Sequence, residues 1–273
     1  DLKLVDINRN REYNKTIKID KLNDYNRQFY IIKDTNNQLL YDDFFFKGQS
    51  IFIQSEFNIQ RLYAKNINTS FPLSPPPFSK SYQPIFKSTN SVCKQLNFNS
   101  QNLISYLLPD EGFVFFQLDT LSSQGFTLFN FHEGYPNLTN ADQLISPLRY
   151  LTTKEEFSSL VSSSDSKLAV DQYWLSKASS KERARNLIRI YYSRVEFANK
   201  LFSCHLEGWK TDRGLISIIF GPPSYVTNNR NSETWIYGDE NNMNSLKFVF
   251  ENNMNPFTTN DFILKRNYAY KNP

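Results

Sequence analysis

The first half of the chain alternates short apolar runs with polar turns, a pattern typical of antiparallel β-structure. Thr16–Ile19 alternates polar with β-branched residues, and Phe29–Ile32 is a cluster of aromatic and β-branched side chains. Three later apolar runs also predict strands: Ile51–Ile53, Gly112–Leu118 and Phe126–Phe131. Short strands at this spacing, with turn residues between them, predict an antiparallel β-sandwich-like domain over residues 1–133.

The segment Phe71–Phe78 interrupts this pattern with three successive prolines. Proline has no backbone N–H donor and favours the polyproline II conformation, so this segment is not expected to form a central strand. Two interpretations stay open. The segment is either a rigid peptide presented to a partner, or an extended crossover anchored in the core by Phe71 and Phe78.

From about Leu138 the hydrophobic period lengthens to that of helices. Two overlapping Thr–x–x–Glu pairs between residues 152 and 156 predict a capping box at the start of a helix. Asp165 is expected to cap a second helix, and Ser179 or Ser180 a third. The third helix carries an amphipathic stripe formed by Ala184, Leu187, Ile188, Tyr191, Val195, Ala198 and Phe202.

Four apolar runs after this helix predict strands: Leu215–Phe220, Thr234–Tyr237, Leu246–Phe250 and Phe262–Leu264. Helices followed by antiparallel strands indicate an α+β fold, in which the helix-rich segment packs on one face of a small antiparallel sheet. We assign this α+β domain to residues 134–273. A chain of 273 residues is long enough for two domains.

The run Gly208–Asp212 lies between the long third helix and the first of these predicted strands. Gly208 suits the left-handed position that ends a helix. Trp209 is expected to fix the corner to the core, because indole offers a large apolar surface and one N–H donor. Thr211 and Asp212 can accept hydrogen bonds from backbone N–H groups and fix a turn, after which Arg213–Gly214 leads into the strand.

Gly221, Pro222 and Pro223 end that predicted strand. A glycine loop after a strand is compatible with phosphate binding, but two prolines remove the N–H donors that would hold an anion. We therefore predict a tight exit loop at this position.

The best constellation of polar residues is Arg194, Glu196, Asp212 and Arg213, with Glu233 as a further candidate. A carboxylate held beside an arginine stays ionised, which suits a structural ion pair better than a general acid. We expect this cluster to fix the helix–strand corner.

A ligand site, where one exists, is expected in a groove beside Trp209, Asp212 and Trp235. Two indoles near a carboxylate can stack on a sugar, so a glycan-binding interpretation stays open.

The chain offers few catalytic or metal-binding groups. Its histidines are His132 and His205, and its cysteines are Cys93 and Cys204. The adjacent Cys204 and His205 are not expected to point at one centre, so neither a zinc site nor a Cys–His nucleophile is predicted. The two thiols are expected to be unpaired. We predict no enzyme activity, no catalytic residue, no metal and no cofactor.

Charge argues against nucleic acid as a partner. The formal net charge is +4, and the basic residues are scattered among acidic ones. The densest basic stretch, Lys181–Arg189, has the spacing of a solvated helix face.

Together these motifs resemble the GWxTD-domain family of bacterial envelope proteins. The matching segments are Phe71–Phe78, Pro147–Thr153, Lys181–Arg185, Tyr191–Glu196, Gly208–Gly214, Ile219–Pro223 and Glu233–Tyr237. The resemblance covers most of the chain and implies a β-rich region before the α+β domain. The motif residues, for which we expect structural roles, are Gly208, Trp209, Thr211, Asp212, Arg213, Gly214, Gly221, Pro222, Pro223 and Trp235.

Members of this family are commonly predicted lipoproteins of Gram-negative envelopes. The resemblance implies a membrane anchor through an N-terminal acylated cysteine that precedes the 273 residues. We expect a non-enzymatic accessory or scaffold subunit of an outer-membrane or periplasmic protein complex, at the periplasmic face or the cell surface, with other envelope proteins as partners. The alternative is a glycan-binding or glycan-processing envelope protein.

One short motif agrees with export. Asp119–Leu121 fits the Asp-Ser/Thr-aliphatic pattern of O-glycosylation in one bacterial envelope lineage, with Thr120 as the acceptor.

Overall fold

The computed structural model describes residues 2–6, 11–15, 27–55, 59–69, 71–80, 91–121, 124–229 and 231–271. Its elements confirm an α+β fold, in which most strands precede the helices. The predicted strand Thr16–Ile19 lies outside the described residues.

The described residues of the first half of the chain form mainly strands. They are β1 (Leu2–Asp6), β2 (Arg11–Lys15), β3 (Tyr30–Asp34), β4 (Phe44–Phe46), β5 (Ser50–Ser55), β6 (Arg61–Ile67), β7 (Ser91–Asn97), β8 (Leu103–Leu107), β9 (Phe113–Gln117) and β10 (Phe126–Phe131). The first two pair with each other in an antiparallel sheet.

Two further sheets form a sandwich. One has the order β3-β5-β8 and the other β4-β10-β9-β6-β7. In the larger sheet β10 and β4 are parallel, whereas all other pairs of neighbouring strands are antiparallel. Ile51 and Ile53 from the smaller sheet share one core cluster with Leu62 and Val114 from the larger one.

The central strand β9 is buried on both faces. Val114 and Phe116 belong to the sandwich core, whereas Phe113 and Phe115 belong to a second cluster on the opposite face. There Phe257, from the C-terminal part of the chain, contacts Phe113 with ring centroids 5.1 Å apart. Burial on both faces explains why this strand is a continuous apolar run in the sequence.

Five α-helices follow: α1 (Ala141–Ile145), α2 (Lys154–Val161), α3 (Ser166–Lys177), α4 (Lys181–Phe202) and α5 (Asp212–Phe220). The predicted caps are confirmed: Thr153 forms a capping box with Glu156, and Asp165 and Ser180 cap α3 and α4. The residues of the predicted α4 stripe that are buried are Ala184, Tyr191, Val195, Ala198 and Phe202. In the described part of the chain, no helix has the length and apolarity needed to cross a membrane.

The C-terminal sheet is an antiparallel meander of β11 (Tyr225–Asn228), β12 (Ser232–Tyr237), β13 (Leu246–Asn252) and β14 (Phe262–Leu264). Trp235, Phe248 and Phe250 of this sheet share a core with Val195 of α4 and Ile216 of α5. The helices therefore pack on one sheet face, as the pattern predicts.

One predicted strand is wrong, because residues 215–220 form most of α5. Seven residues of this nine-residue helix are buried, among them the polar residues Asp212, Arg213 and Ser217, so α5 lacks the exposed polar face of a surface helix. An apolar run rich in β-branched residues does not by itself distinguish a buried helix from a buried strand. The corner is therefore a helix–turn–helix connection, and not a helix–strand connection.

Candidate functional site

Two of the motif glycines, Gly208 and Gly214, allow three backbone segments to meet. Gly208 opens a 3₁₀ turn, Gly208–Lys210, and its backbone is not left-handed, contrary to the sequence-based prediction. A Cβ atom on Gly208 would overlap the carbonyl oxygen of Ala198 in α4. A Cβ atom on Gly214 would overlap the carbonyl oxygen of Gly208. Glycine is therefore needed here for close backbone packing.

Trp209 fixes this turn to the core. Its side chain is buried, and its indole Nε1 donates to Glu207 Oε2 at 2.8 Å. Its backbone N–H donates to Asn199 Oδ1 at 3.1 Å, and its carbonyl accepts from Tyr150 Oη at 3.0 Å. Every polar group of this residue is thus engaged inside the protein.

Thr211 and Asp212 build the N-terminus of α5. Thr211 is the N-cap: its hydroxyl accepts from the Gly214 N–H at 3.1 Å and donates to the Gly208 carbonyl at 2.8 Å. Asp212 Oδ2 accepts from the backbone N–H of Leu264 in β14 at 2.7 Å. Both residues accept from backbone N–H groups, and what they fix is a helix start instead of a turn.

Asp212 also forms a buried ion pair with Arg266. The Arg266 guanidinium donates to both carboxylate oxygens, at 2.5 and 3.1 Å, and the two side chains are 6% and 0% exposed. The same guanidinium donates to the Pro75 carbonyl at 3.0 Å. The pair therefore joins α5, the chain after β14 and the proline-rich segment, and the sequence offers no local spacing that predicts it.

Arg213 forms a second buried ion pair on another side of α5. Its guanidinium donates to Glu233 Oε2 at 3.2 Å and to the Asn260 carbonyl at 2.8 Å, and lies 4.3 Å from the Phe262 ring centroid. Burial lowers the pKa of Arg213, and the Glu233 charge opposes this shift. The other Glu233 oxygen accepts from Trp235 Nε1 at 2.5 Å.

The C-terminus of α5 is closed by Gly221 and Arg194. Gly221 has φ of 79°, a left-handed conformation that favours glycine. Arg194 donates to the Ile218 carbonyl at 2.9 Å, so it satisfies a backbone group that the helix leaves open. Pro222 and Pro223 then lead into β11 as the exit from a helix, and not from the predicted strand.

The predicted ion-pair cluster of Arg194, Glu196, Asp212 and Arg213 does not form. Glu196 Oε1 accepts from the backbone N–H of Leu138 at 3.0 Å, and the other three have the partners given above. Residues one or two positions apart on a helix point to different sides, so neither pair of neighbours converges. Glu233, the further candidate, is the partner of Arg213.

The expected sugar-binding groove is not open at its predicted position. Trp209 is 4% exposed and Trp235 is 2% exposed, and the Asp212 carboxylate is in its ion pair. The Tyr150 ring packs edge-on against Trp209, and Phe250 lies 4.9 Å from Trp235. Neither indole face is available for stacking on a sugar.

An open groove lies nearby, between the proline-rich segment and α5. It has a volume of about 640 Å³, and we call it the proline groove. Its apolar lining includes Leu73, Pro77, Phe78, Leu215, Ile219 and Phe220. Phe78 is 40% exposed and Ile219 is 38% exposed. The charged residues among its described lining are Arg149 and Lys271, both cationic.

The proline-rich segment that lines this groove is held to the rest of the protein. The Ser74 N–H and hydroxyl both donate to the Lys210 carbonyl, and the Pro77 carbonyl accepts from the Asn267 N–H. Phe71 packs with the second cluster of the β-sandwich, whereas Phe78 lies at the groove. The crossover interpretation therefore holds for Phe71 and is wrong for Phe78, which is exposed at the groove. Presentation of this segment to a partner stays a prediction.

Cys204, His205 and Asp261 converge in the interior. One ligand-type atom from each, the Cys204 Sγ, a ring nitrogen and a carboxylate oxygen, lie within 4.8 Å of one another. Burial raises the pKa of the Cys204 thiol to about 12 and lowers the pKa of His205 to about 4. The expectation that adjacent Cys204 and His205 diverge is wrong. Asp261, 56 residues further along the chain, supplies the third group that sequence spacing does not reveal.

The remaining candidates lie on the surface. Lys181, Arg183, Arg185 and Arg189 are exposed along α4, as expected of a solvated helix face. Cys93 is an exposed free thiol, whereas the thiol of Cys204 is free but buried. Thr120 is exposed in the turn between β9 and β10.

These features define a β-sandwich joined to an α+β unit, whose signature run forms the turn between two helices. A family model described as GWxTD domain matches residues 112–273, more than half of the chain. The chain belongs to the GWxTD domain family. No curated protein and no solved structure matches it.

Proposed function

We propose that this protein is a non-enzymatic accessory or scaffold subunit of a bacterial outer-membrane or periplasmic protein complex, anchored by an N-terminal lipid. The proline groove is its docking surface for a partner segment that is apolar and acidic. The observation that carries the proposal is this open groove. It lies beside a signature motif whose polar groups form hydrogen bonds within the protein.

The motif residues support a structural role. Trp209, Thr211, Asp212 and Arg213 are buried, and each is hydrogen-bonded within the chain. Both oxygens of the Asp212 carboxylate are engaged in a bidentate pair with buried Arg266, which suits a structural role better than proton transfer to a substrate. Their arrangement favours a rigid framework over reaction chemistry.

The chemistry of the groove indicates the kind of partner. Exposed Phe78 and Ile219 offer apolar contacts at an anchored and therefore preorganised surface, which lowers the entropy cost of binding. Arg149 and Lys271 add positive charge, and no acidic residue is among the described residues of the lining. An apolar segment that carries Asp or Glu matches both properties.

The test is recovery of the native complex in mild detergent from cells that carry Ile219→Glu. A carboxylate in the groove repels an acidic partner and must be desolvated, so recovery of a stoichiometric membrane partner should fall at least 10-fold. The matched control is Met243→Glu, because Met243 is an exposed apolar residue outside the groove. A photo-crosslinking residue at position 219 should capture the same partner, and one at position 243 should not.

Equal partner recovery from both variants would overturn the groove assignment. A wild-type protein recovered as a partner-free monomer would overturn the scaffold role itself. In that case binding of envelope polysaccharide fragments, measured by isothermal titration calorimetry, would favour the glycan-binding alternative.

A further inference from the structure

Beneath the signature turn, three metal-ligating side chains from two separate parts of the chain surround one small cavity. The cavity measures about 40 Å³ and is lined by Cys204, His205 and Asp261 together with Phe71 and Phe262. A volume of this size exceeds the roughly 10–15 Å³ that one water molecule or ion needs. The three ligand-type residues are all buried.

The identity of the ligands points to zinc. Zn²⁺ prefers thiolate, imidazole and carboxylate ligands in a tetrahedral arrangement. With bonds of about 2.0 to 2.3 Å, a tetrahedral ion holds its ligand atoms roughly 3.3 to 3.8 Å apart. His205 Nδ1 and Asp261 Oδ2 are 3.9 Å apart, and all three ligand atoms lie within 4.8 Å of one another. Small side-chain rotations close the remaining gap.

The surroundings orient one of these ligands, Asp261. Asp261 Oδ2 accepts from Asn253 Nδ2 at 2.7 Å and from Asn255 Nδ2 at 3.0 Å. Hydrogen bonds of this kind orient and tune the ligands of metal sites.

We propose that Cys204, His205 and Asp261 form a binding site for one zinc-class divalent cation, with a water molecule in the cavity as fourth ligand. Binding forms one bond from the metal to each of the three side chains, and the Cys204 thiol releases its proton to solvent. The ion would tie the end of α4 to the loop before β14, just beneath the signature turn.

The test uses the purified full chain, stripped with a chelator and titrated with Co²⁺ alone. We expect one Co²⁺ per chain, with the thiolate-to-cobalt absorption band of a sulfur ligand and the visible bands of a tetrahedral site. Zn²⁺ should then displace Co²⁺ and abolish these bands. Asp261→Asn should weaken Co²⁺ binding at least 10-fold.

The chain provides matched controls, because it has two cysteines and two histidines. Cys93→Ser and His132→Gln should leave the spectrum unchanged, whereas Cys204→Ser and His205→Gln should remove the band or weaken binding. Where Cys204→Ser does not fold, Cys93→Ser still decides, since a sulfur band that survives in that variant can come from Cys204 alone. A wild-type protein without the band, or a band lost in Cys93→Ser, would overturn the proposal.

Discussion

Gly208 and Gly214 are required in this fold because they have no side chain. Each glycine lies against a backbone carbonyl that belongs to another segment, so neither neighbour can move as a flexible side chain would. Gly208 is therefore required because a side chain has no space there. Its backbone conformation does not require glycine, since it is not left-handed.

Gly208→Ala should destabilise the protein by about 3 kcal/mol, because the added methyl group forces backbone segments apart. Urea denaturation followed by circular dichroism gives this loss. Gly48 is the control: it has φ of 68°, but no atom lies within 4 Å of a Cβ built there. Gly48→Ala should cost only about 1–2 kcal/mol, the strain of a left-handed alanine. Equal losses for the two variants would refute the packing argument.

Thr120 is the predicted acceptor of O-glycosylation, a modification that needs an exposed side chain. It lies in an exposed turn, where the Asp119 carboxylate accepts from the Leu121 N–H. We predict that protein isolated from its native host is heavier than its polypeptide by one glycan. Intact-mass spectrometry should show this excess in the wild type and its loss in Thr120→Ala. A wild-type mass equal to that of the polypeptide would contradict the prediction.

At the scale of single elements, α5 shows what the sequence pattern can and cannot reveal. The caps of α2, α3 and α4 were predictable, because Thr153, Asp165 and Ser180 stand before amphipathic runs. For α5 the apolar run predicts a strand, although the element is a helix. The cap signals of that helix are nevertheless present, because Thr211 precedes it and Gly221 ends it. A prediction that gives these two cap residues more weight than the β-branched run identifies a helix here.

Thr211→Ala should therefore weaken α5 by removing its N-cap. The expected loss is about 1–2 kcal/mol of unfolding free energy, because the hydroxyl also donates to the Gly208 carbonyl. Thr211→Ser keeps the hydroxyl and should lose much less in the same thermal or urea titration. If serine and alanine are equally destabilising, the hydroxyl is not what matters at this position.

Pairings across long sequence separations were beyond the reach of pattern analysis. Asp212 and Arg266 are 54 residues apart, and Asp261 joins Cys204 and His205 from a different element. Local spacing identifies helix caps and strand faces, but it does not show which buried charges meet once elements pack. The signature residues were found from the sequence, and their partners were not.

At the scale of the whole molecule, β9 and β10 link the sandwich to the α+β unit. The sheet face that carries Phe113 and Phe115 packs against Phe257, and the family match begins at Gly112, next to β9. The domain boundary between residues 133 and 134 stays a prediction.

The Asp212–Arg266 ion pair connects distant parts of the molecule. It holds together α5, the chain after β14 and the proline-rich segment. Removing one member of a buried ion pair leaves the other charge without compensation in the interior. An exposed pair such as Lys167–Asp171, separated by 3.3 Å, is screened by solvent instead.

The free energy of unfolding of Asp212→Asn, measured beside that of Asp171→Asn, tests the central claim that the signature motif is a structural framework. We predict a loss of about 3–5 kcal/mol for Asp212→Asn. The loss for Asp171→Asn should be under about 1 kcal/mol. At a temperature where Asp212→Asn is still folded, it should retain any partner that the wild type binds under the proposal above. An Asp212→Asn protein that is as stable as the wild type but has lost that partner would contradict the account.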